Sequence, residues 1–156
     1  MKKKTIRTAL LAGVAATLAG IATLGFSCAA TPSDIGMRDG QLRPCPDSPN
    51  CVCSEGEDAG VEPLAYTGDG KTAFQSLLDH LELQSNVEIV TIEEGYAHAV
   101  YRTKVLRFRD DLELRLDEEN SVIHVRSASR VGHSDMGANR RRVEELRASW
   151  SSSNAE

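Results

Sequence analysis

The chain has few basic residues beyond its first eight positions. Four of its 18 Lys and Arg lie in that opening stretch, so the remainder holds 14 basic residues against 23 Asp and Glu. This net negative charge repels the phosphate backbone and excludes general nucleic-acid binding. The excess of acidic residues lies in the first half of this remainder. Residues 28–100 hold three Lys and Arg against 13 Asp and Glu, whereas residues 101–156 hold 11 against ten. Any anion-binding surface must therefore come from the second half.

Charged residues are absent from positions 8–33, which follow the four leading cations. A basic start before an apolar run is typical of a signal peptide, so we predict an exported protein whose residues 1–28 are a signal peptide or membrane anchor. Cleavage before Cys28 with acylation of its thiol makes a lipoprotein. Ordinary cleavage at the small residues beside Cys28, or an uncut anchor of about 20 spanning residues, are the alternatives. We expect a membrane-attached lipoprotein of the cell envelope, on its periplasmic or outer face.

No internal repeat is visible, and 156 residues suffice for one domain with its own core. Residues 29–43 show no hydrophobic period and are predicted to be a flexible tether. Residues 44–150 are predicted to form the folded domain, and residues 151–156 a disordered tail.

Hydrophobic spacing predicts a helix near each end of this domain. The first covers residues 72–83, where Thr72 and Gln75 fit a capping box. Its apolar positions follow i, i+3, i+4 and i+7: Phe74, Leu77, Leu78 and Leu81. The second helix is indicated by Val143, Leu146 and Trp150.

Four strands are predicted between the helices, over residues 87–92, 96–103, 106–117 and 122–127. The third shows the clearest alternation, because apolar residues hold every second position from Leu106 to Leu116 except 110, and charged residues fill all the positions between them. Short connections favour sequential antiparallel pairing. We predict an α+β fold: a four-stranded antiparallel meander packed on one face by the N-terminal and C-terminal helices, after the signal or anchor segment.

Asp110 breaks the alternation, since it falls on the apolar face of the third strand. A buried carboxylate without a partner is costly, so a cation should lie beside it. Arg126 or Arg130 is the expected partner. Two interpretations remain open: an ion pair that fixes strand register, or a ligand-binding or catalytic carboxylate.

The segment 127–139 is polar and leads into a helix whose first turn carries three arginines, at positions 140–142. Each cation at a helix N-terminus is unfavourable by ~0.3–1 kcal/mol. Asp135 or Asp111 can compensate, with Asn139 as the helix cap; alternatively an external carboxylate or phosphate binds there. The candidate ligand-binding residues are Asp110, Arg126, Ser127, Ser129, Arg130, Ser134, Asp135, Asn139 and Arg140.

A hydrolase site has little support in this segment. His133, Asp135 and the nearby serines are sequence neighbours rather than a triad, and a Gly-x-Ser-x-Gly context is missing. We assign no catalytic residue and expect no cofactor.

Beyond the leader, three cysteines remain: Cys45, Cys51 and Cys53. In an oxidising envelope we expect a Cys45–Cys51 disulfide that closes a Pro-rich loop. Closing so short a loop removes little entropy, so the bond should shape the loop more than it stabilises the fold. The alternative is a metal or redox site of three thiols with His80 or His98, but the spacing is not that of a standard zinc site, and we assign no metal.

Three separated blocks stand in a fixed order: CPDSPNC at 45–51, DDLE at 110–113 and RSASRVGHSDMGANR at 126–140. Together they resemble the signature of the domain of unknown function 1499 family over about residues 43–150. Cys53 departs from the pattern, since such sequences more usually have Ser there. The resemblance implies an envelope or plastid-lumen type of domain, often behind a lipoprotein or membrane leader, with no agreed reaction.

Three classes of function follow. The leading hypothesis is a non-enzymatic envelope module whose Arg126, Arg130, Asn139 and Arg140, supported by Asp110, bind a small anionic ligand or an envelope protein. The second is an enzyme with Asp110 as acid or base and the arginines as substrate clamps. The third is a purely structural protein-interaction domain.

Overall fold

The computed structural model of the chain describes residues 34–57, 59–103 and 107–153. The predicted signal or anchor segment, with its lipidation candidate Cys28, lies outside these residues. Within them, no helix is both long and apolar enough to cross a membrane.

The described residues form eight strands and two helices. In chain order these are β1 (Met37–Arg38), β2 (Gln41–Leu42), β3 (Cys51–Cys53), β4 (Leu64–Ala65), α1 (Gly70–Glu82), β5 (Val87–Glu93), β6 (Tyr96–Arg102), β7 (Arg109–Asp117), β8 (Val122–Ser129) and α2 (Ala138–Ser153). The α+β class is confirmed.

The main sheet has six strands rather than the four predicted. Strands β5 to β8 pair antiparallel in sequence order, as a meander does. The free edge of β8 also pairs with β3 and β4, which are three and two residues long. Such short strands show no period-2 pattern, so the alternation could not reveal them.

Both helices pack on one face of the sheet, as expected. Leucines 77, 78 and 81 of α1 meet Leu112 and Leu114 of β7, Ile123 and Val125 of β8, and Val143, Leu146 and Trp150 of α2 in one core. Helix α1 begins two residues earlier than predicted, because Asp69 rather than Thr72 is its N-cap. Helix α2 continues to Ser153, so residues 151–153 of the predicted tail are helical.

The opposite face of the sheet is also buried, and its buried side chains are largely polar. Residues 34–43, which we call the strap, cover part of it: Leu42 is 4% exposed and packs with Cys53 and Tyr96. Strands β1 and β2 pair with each other in a separate ladder. The strap therefore differs from the flexible tether that the sequence predicted.

The third predicted strand begins later than the residue 106 that the sequence predicted. Strand β7 begins at Arg109, and Phe108 lies before it with 40% of its surface exposed. Arg107 has a φ of 52°, which turns the chain just before the strand. Leu106 lies outside the described residues.

Candidate functional site

A polar cluster lies where β7 begins, β8 ends and α2 begins. At its centre is Asp110, 5% exposed, on the helix side of β7 as the alternation predicted. Its partner, however, is neither Arg126 nor Arg130: a guanidinium N–H of Arg142 donates to Asp110 Oδ2. Arg142 comes from the second turn of α2, which packs directly over this end of the sheet.

Arg142 is held by further contacts. Its Nη1 donates to Ser127 Oγ at 2.9 Å and to the amide oxygen of Asn139. Its guanidinium carbon lies 4.8 Å from the ring centroid of Tyr101, a cation–π contact. Burial raises the pKa of Tyr101 to about 12, against the opposing charge of Arg142, so the phenol stays protonated.

Asn139 joins the cluster to the disulfide loop. It is fully buried, and its Oδ1 accepts from Ser127 Oγ at 2.7 Å. Its Nδ2 donates to Ser129 Oγ at 3.0 Å and to the Asn50 carbonyl at 2.8 Å. An amide with all these partners has a fixed orientation, so it organises the cluster rather than capping the helix.

Asp135 caps α2 instead. Its carboxylate accepts from the backbone N–H of Gly137 at 2.9 Å and of Asn139 at 2.7 Å. Burial alone raises the pKa of Asp135, but these backbone hydrogen bonds outweigh it and hold the pKa below its usual value. The ionised carboxylate offsets the arginines of the first helical turn, as one interpretation of the sequence required.

The Cys45–Cys51 disulfide is confirmed, with an S–S distance of 2.03 Å. The loop that it closes presents the Asn50 carbonyl, which also accepts from the Ser129 N–H at 2.9 Å. Cys53 is free and buried, and burial is the largest cause of its raised pKa. With two thiols oxidised, a metal site of three thiols is left without its ligands. No group of three possible metal-binding side chains occurs among the residues described.

Arg126 and Arg130 lie on the other face of the sheet. Arg126 donates to Glu113 at 2.7 Å and to Asp34 of the strap at 2.6 Å. Arg130 donates to Asp111 at 2.7 Å, and the His98 ring lies 2.7 Å from the same carboxylate. Strand alternation explains why Arg126 does not pair with Asp110. Ile123 and Val125 face the helices, so Arg126, the next residue along β8, faces the other way.

These buried pairs perturb the titration of their neighbours. Burial raises the pKa of Tyr96, and the negative charge of Glu113, whose carboxylate accepts the phenol hydrogen at 2.9 Å, raises it further. For Asp111, burial would raise the pKa, but hydrogen bonds from His98 and Arg130, with the charge of Arg130, lower it overall.

The predicted site residues thus lie in four different places. Asp110, Ser127, Ser129 and Asn139 meet in the cluster. Arg126 and Arg130 lie on the opposite face of the sheet, the face that the strap partly covers. Ser134 and Arg140 are exposed, and Asp135 is a helix cap. The sequence did not assign Arg142 and Tyr101 to the cluster; it placed Arg142 in the first turn of the helix, whereas the structure places it in the second.

A groove of about 360 Å³ opens beside this cluster. We call it the arginine groove, because Arg102, Arg141 and Arg142 line it and Glu145 is its one acidic lining residue among those described. Its remaining lining residues are Gln84, Asn86, Tyr101, Thr103 and Ala138. Arg102 pairs with Glu88 at the surface, and Arg141 donates to the Met136 carbonyl at 2.8 Å.

Comparison with known proteins gives one finding. A family model described as "Protein of unknown function (DUF1499)" matches residues 41–149. No curated protein and no solved structure gives a significant match. The matched range includes every residue of the polar cluster and of the arginine groove.

Proposed function

The chain belongs to the DUF1499 family, and we propose that it is an exported, membrane-attached binding module, without enzymatic activity, that holds an anionic group in the arginine groove. The observation that carries this proposal is that three arginines line one groove that has a single acidic lining residue among those described. Planar guanidinium groups suit carboxylate and phosphate ligands because they can donate two parallel hydrogen bonds.

The groove offers both fixed and adjustable cations. Arg142 is fixed by Asp110, Asn139 and the Tyr101 ring, so its position is set before any ligand arrives. Arg141 and Arg102 lie nearer to solvent and have weaker partners, a backbone carbonyl and an exposed carboxylate. An incoming anion therefore meets one guanidinium group held in a fixed position, whose charge Asp110 partly compensates, and two arginine side chains that can turn toward it.

The same geometry argues against Asp110 as a catalytic acid or base. Its carboxylate is buried and paired with Arg142, so it has no open approach to a substrate proton. The described lining residues include neither Ser, Cys nor His, and the Glu145 carboxylate is the one acidic group among them. Binding without turnover fits these contacts better than catalysis.

Thermal unfolding with and without inorganic phosphate or citrate, in a fixed salt background, tests the anion proposal. We expect a saturable rise in melting temperature that Arg141→Ala abolishes with the unliganded fold intact. Arg38→Ala is the matched control, because it removes the same charge from a side chain that is 72% exposed on the strap. An equal rise in both variants would mean general ion effects, and no rise in the unaltered protein would overturn the proposal.

Membrane attachment is supported by the sequence: leading cations, an uncharged stretch over positions 8–33 and a cysteine at position 28. Intact mass spectrometry of the protein purified from its own envelope measures the outcome. We expect a chain that begins at Cys28 and carries lipid, and a Cys28→Ser variant that lacks the lipid. A soluble chain cleaved nearby, or a full-length chain, contradicts lipoprotein processing.

A further inference from the structure

A second groove, which we call the acidic groove, lies between α1 and the turn that joins β5 to β6. The side chains that matter for its chemistry are Ile92, Glu93, Leu116 and Glu118. Its volume of about 310 Å³ is at the low end of the usual range for ligand sites, so it has room for a side chain of a partner. It shares no lining residue with the arginine groove.

Apolar surface is accessible to solvent in the acidic groove. Phe74 and Leu78 of α1 form its floor, but they belong to the core and are only 6% and 1% exposed. The accessible apolar surface comes instead from Ile92 of β5, which is 56% exposed, and from the half-buried Leu116 of β7. Ile92 lies on the helix side of the sheet, since it pairs with the core residue Ala97 of β6.

Strand β5 is the outermost strand of the main sheet, and no described strand pairs with its outer edge. Two more exposed apolar side chains lie nearby in the chain: Leu83 after α1 and Val90 within β5. The pairing register shifts at Val90, and Glu88 and Glu93 of the same strand are exposed. A bulge and charged side chains at an edge discourage another strand from extending the sheet. A partner at this edge is therefore expected to bind through its side chains.

The charge around this apolar surface is negative. Residues 79–94 hold five Asp and Glu and no Lys or Arg. The groove itself is lined by Glu93, Glu94 and Glu118, and Lys71 is its one basic lining residue among those described. Lys71 lies 3.6 Å from Glu94, whereas neither Glu93 nor Glu118 has an ion pair within the described part of the chain. Repulsion between like charges disfavours a second copy of this chain as the occupant, and a cationic partner is favoured.

We propose that the acidic groove docks a basic peptide segment of a partner protein, whose apolar side chain packs on Ile92 and Leu116 while flanking lysines or arginines pair with Glu93 and Glu118. An apolar contact surrounded by polar and charged side chains is the usual arrangement of a protein interface. The groove is independent of the arginine groove, because it has the opposite charge and takes the opposite kind of ligand.

Isothermal titration calorimetry with the peptide acetyl-KKLFKK-amide tests the docking surface. We expect saturable binding of one peptide per chain, and binding that weakens as sodium chloride is added, because salt screens exposed charges. The peptide acetyl-KKSSKK-amide keeps the charge without the apolar side chains and should bind at least about fivefold more weakly. The peptide acetyl-EELFEE-amide keeps the apolar side chains with the wrong charge, so it should not bind.

A variant of the apolar surface tests the seat of the peptide. Ile92→Ser should weaken binding of acetyl-KKLFKK-amide at least about fivefold, and the fold should persist because the side chain is more than half exposed. Phe108→Ser is the matched control, since Phe108 is 40% exposed and lies before the other end of β7.

A variant of the charged surface tests the ion pairs. Glu93→Gln with Glu118→Gln should weaken binding at least about threefold, because each removes one exposed ion pair to the peptide. Glu82→Gln with Glu119→Gln is the matched control, since it removes the same charge from two exposed side chains outside the groove. Circular dichroism melting shows that each variant keeps the fold.

Four results would overturn the proposal. They are no saturable binding of acetyl-KKLFKK-amide, equal binding of acetyl-KKSSKK-amide, equal weakening by Ile92→Ser and Phe108→Ser, and equal weakening by the two double variants. Sedimentation velocity of the protein alone tests the other occupant: a concentration-dependent dimer that Ile92→Ser abolishes would mean that a second copy, rather than a basic segment, covers this surface.

Discussion

Glu113 and Arg126 form an ion pair that is almost completely withdrawn from water, with side chains 0% and 1% exposed. Glu113 also accepts from the Tyr96 hydroxyl at 2.9 Å and the Gly36 N–H at 2.7 Å, so three donors depend on it. Removing one member of such a pair leaves a buried charge uncompensated. We expect Glu113→Ala to lower the free energy of unfolding by about 3–5 kcal/mol, measured by urea denaturation.

The control for this prediction is a pair at the surface. Glu88 and Arg102 are 57% and 38% exposed, so water screens their attraction. Glu88→Ala should cost less than about 1 kcal/mol. Similar losses for the two variants would show that burial does not set the Glu113 pair apart.

Asp111 gives a prediction about pH. Burial raises the pKa of its carboxyl, but His98 and Arg130 outweigh burial and hold the folded-state pKa below the unfolded value of about 3.9. A lowered pKa contributes stability that is present above the unfolded pKa and is lost as the pH falls through the folded pKa. Asp111→Asn should therefore flatten the loss of stability below about pH 4, measured as urea midpoints over a pH series. Parallel curves for the two proteins would contradict this assignment.

The alternation of apolar and charged residues along the strands predicted part of the candidate site. It placed Asp110 on the helix side of β7 correctly, because the leucines at positions 112 and 114 mark that face. Applied to β8, the same rule puts Arg126 on the opposite face from Val125, a signal that was present in the sequence and not used. No local pattern could identify Arg142, since it reaches Asp110 from a helix 32 positions later.

At the scale of elements, the helices and the long strands were predictable and the strap was not. Helix spacing identifies positions that meet a large apolar core, whereas the strap is held through its backbone. The Gly36 N–H donates to Glu113, and the Leu42 N–H donates to Glu55 at 2.8 Å. Leu42 is the one buried apolar side chain between residues 34 and 43, too few for a period to appear.

This arrangement makes Leu42 the main apolar contact of the strap. Its side chain fills the space beside Cys53 and Tyr96, so Leu42→Ala leaves a cavity and should cost about 2–5 kcal/mol. Met37→Ala is the control on the same segment, because Met37 is 39% exposed and should change stability by less than about 0.5 kcal/mol. Chemical denaturation measures both. A negligible effect of Leu42→Ala would mean that the strap adds nothing to the stability of the domain.

For the whole molecule, one sheet carries two different layers. The buried side chains on its helix side are apolar, whereas many of those on its strap side form ion pairs. Both layers share β7 and β8, where neighbouring residues point alternately into one and the other. Loss of either layer exposes the side chains of the same strands to water, so we expect the two layers to unfold together.

Two natural probes test this coupling, one on each side of the sheet. Trp150 emission reports the helix side, and thiol labelling of Cys53, which is 4% exposed, reports the strap side. A Cys28→Ser variant leaves Cys53 as the single free thiol. Its burial, which also raises its pKa, slows labelling of the thiol in the folded state. If unfolding is two-state, both probes should give the same free energy and the same dependence on urea. Labelling at urea concentrations where Trp150 emission is still native would instead show that the strap opens alone, exposing Arg126 and Glu113 while the helix side stays folded.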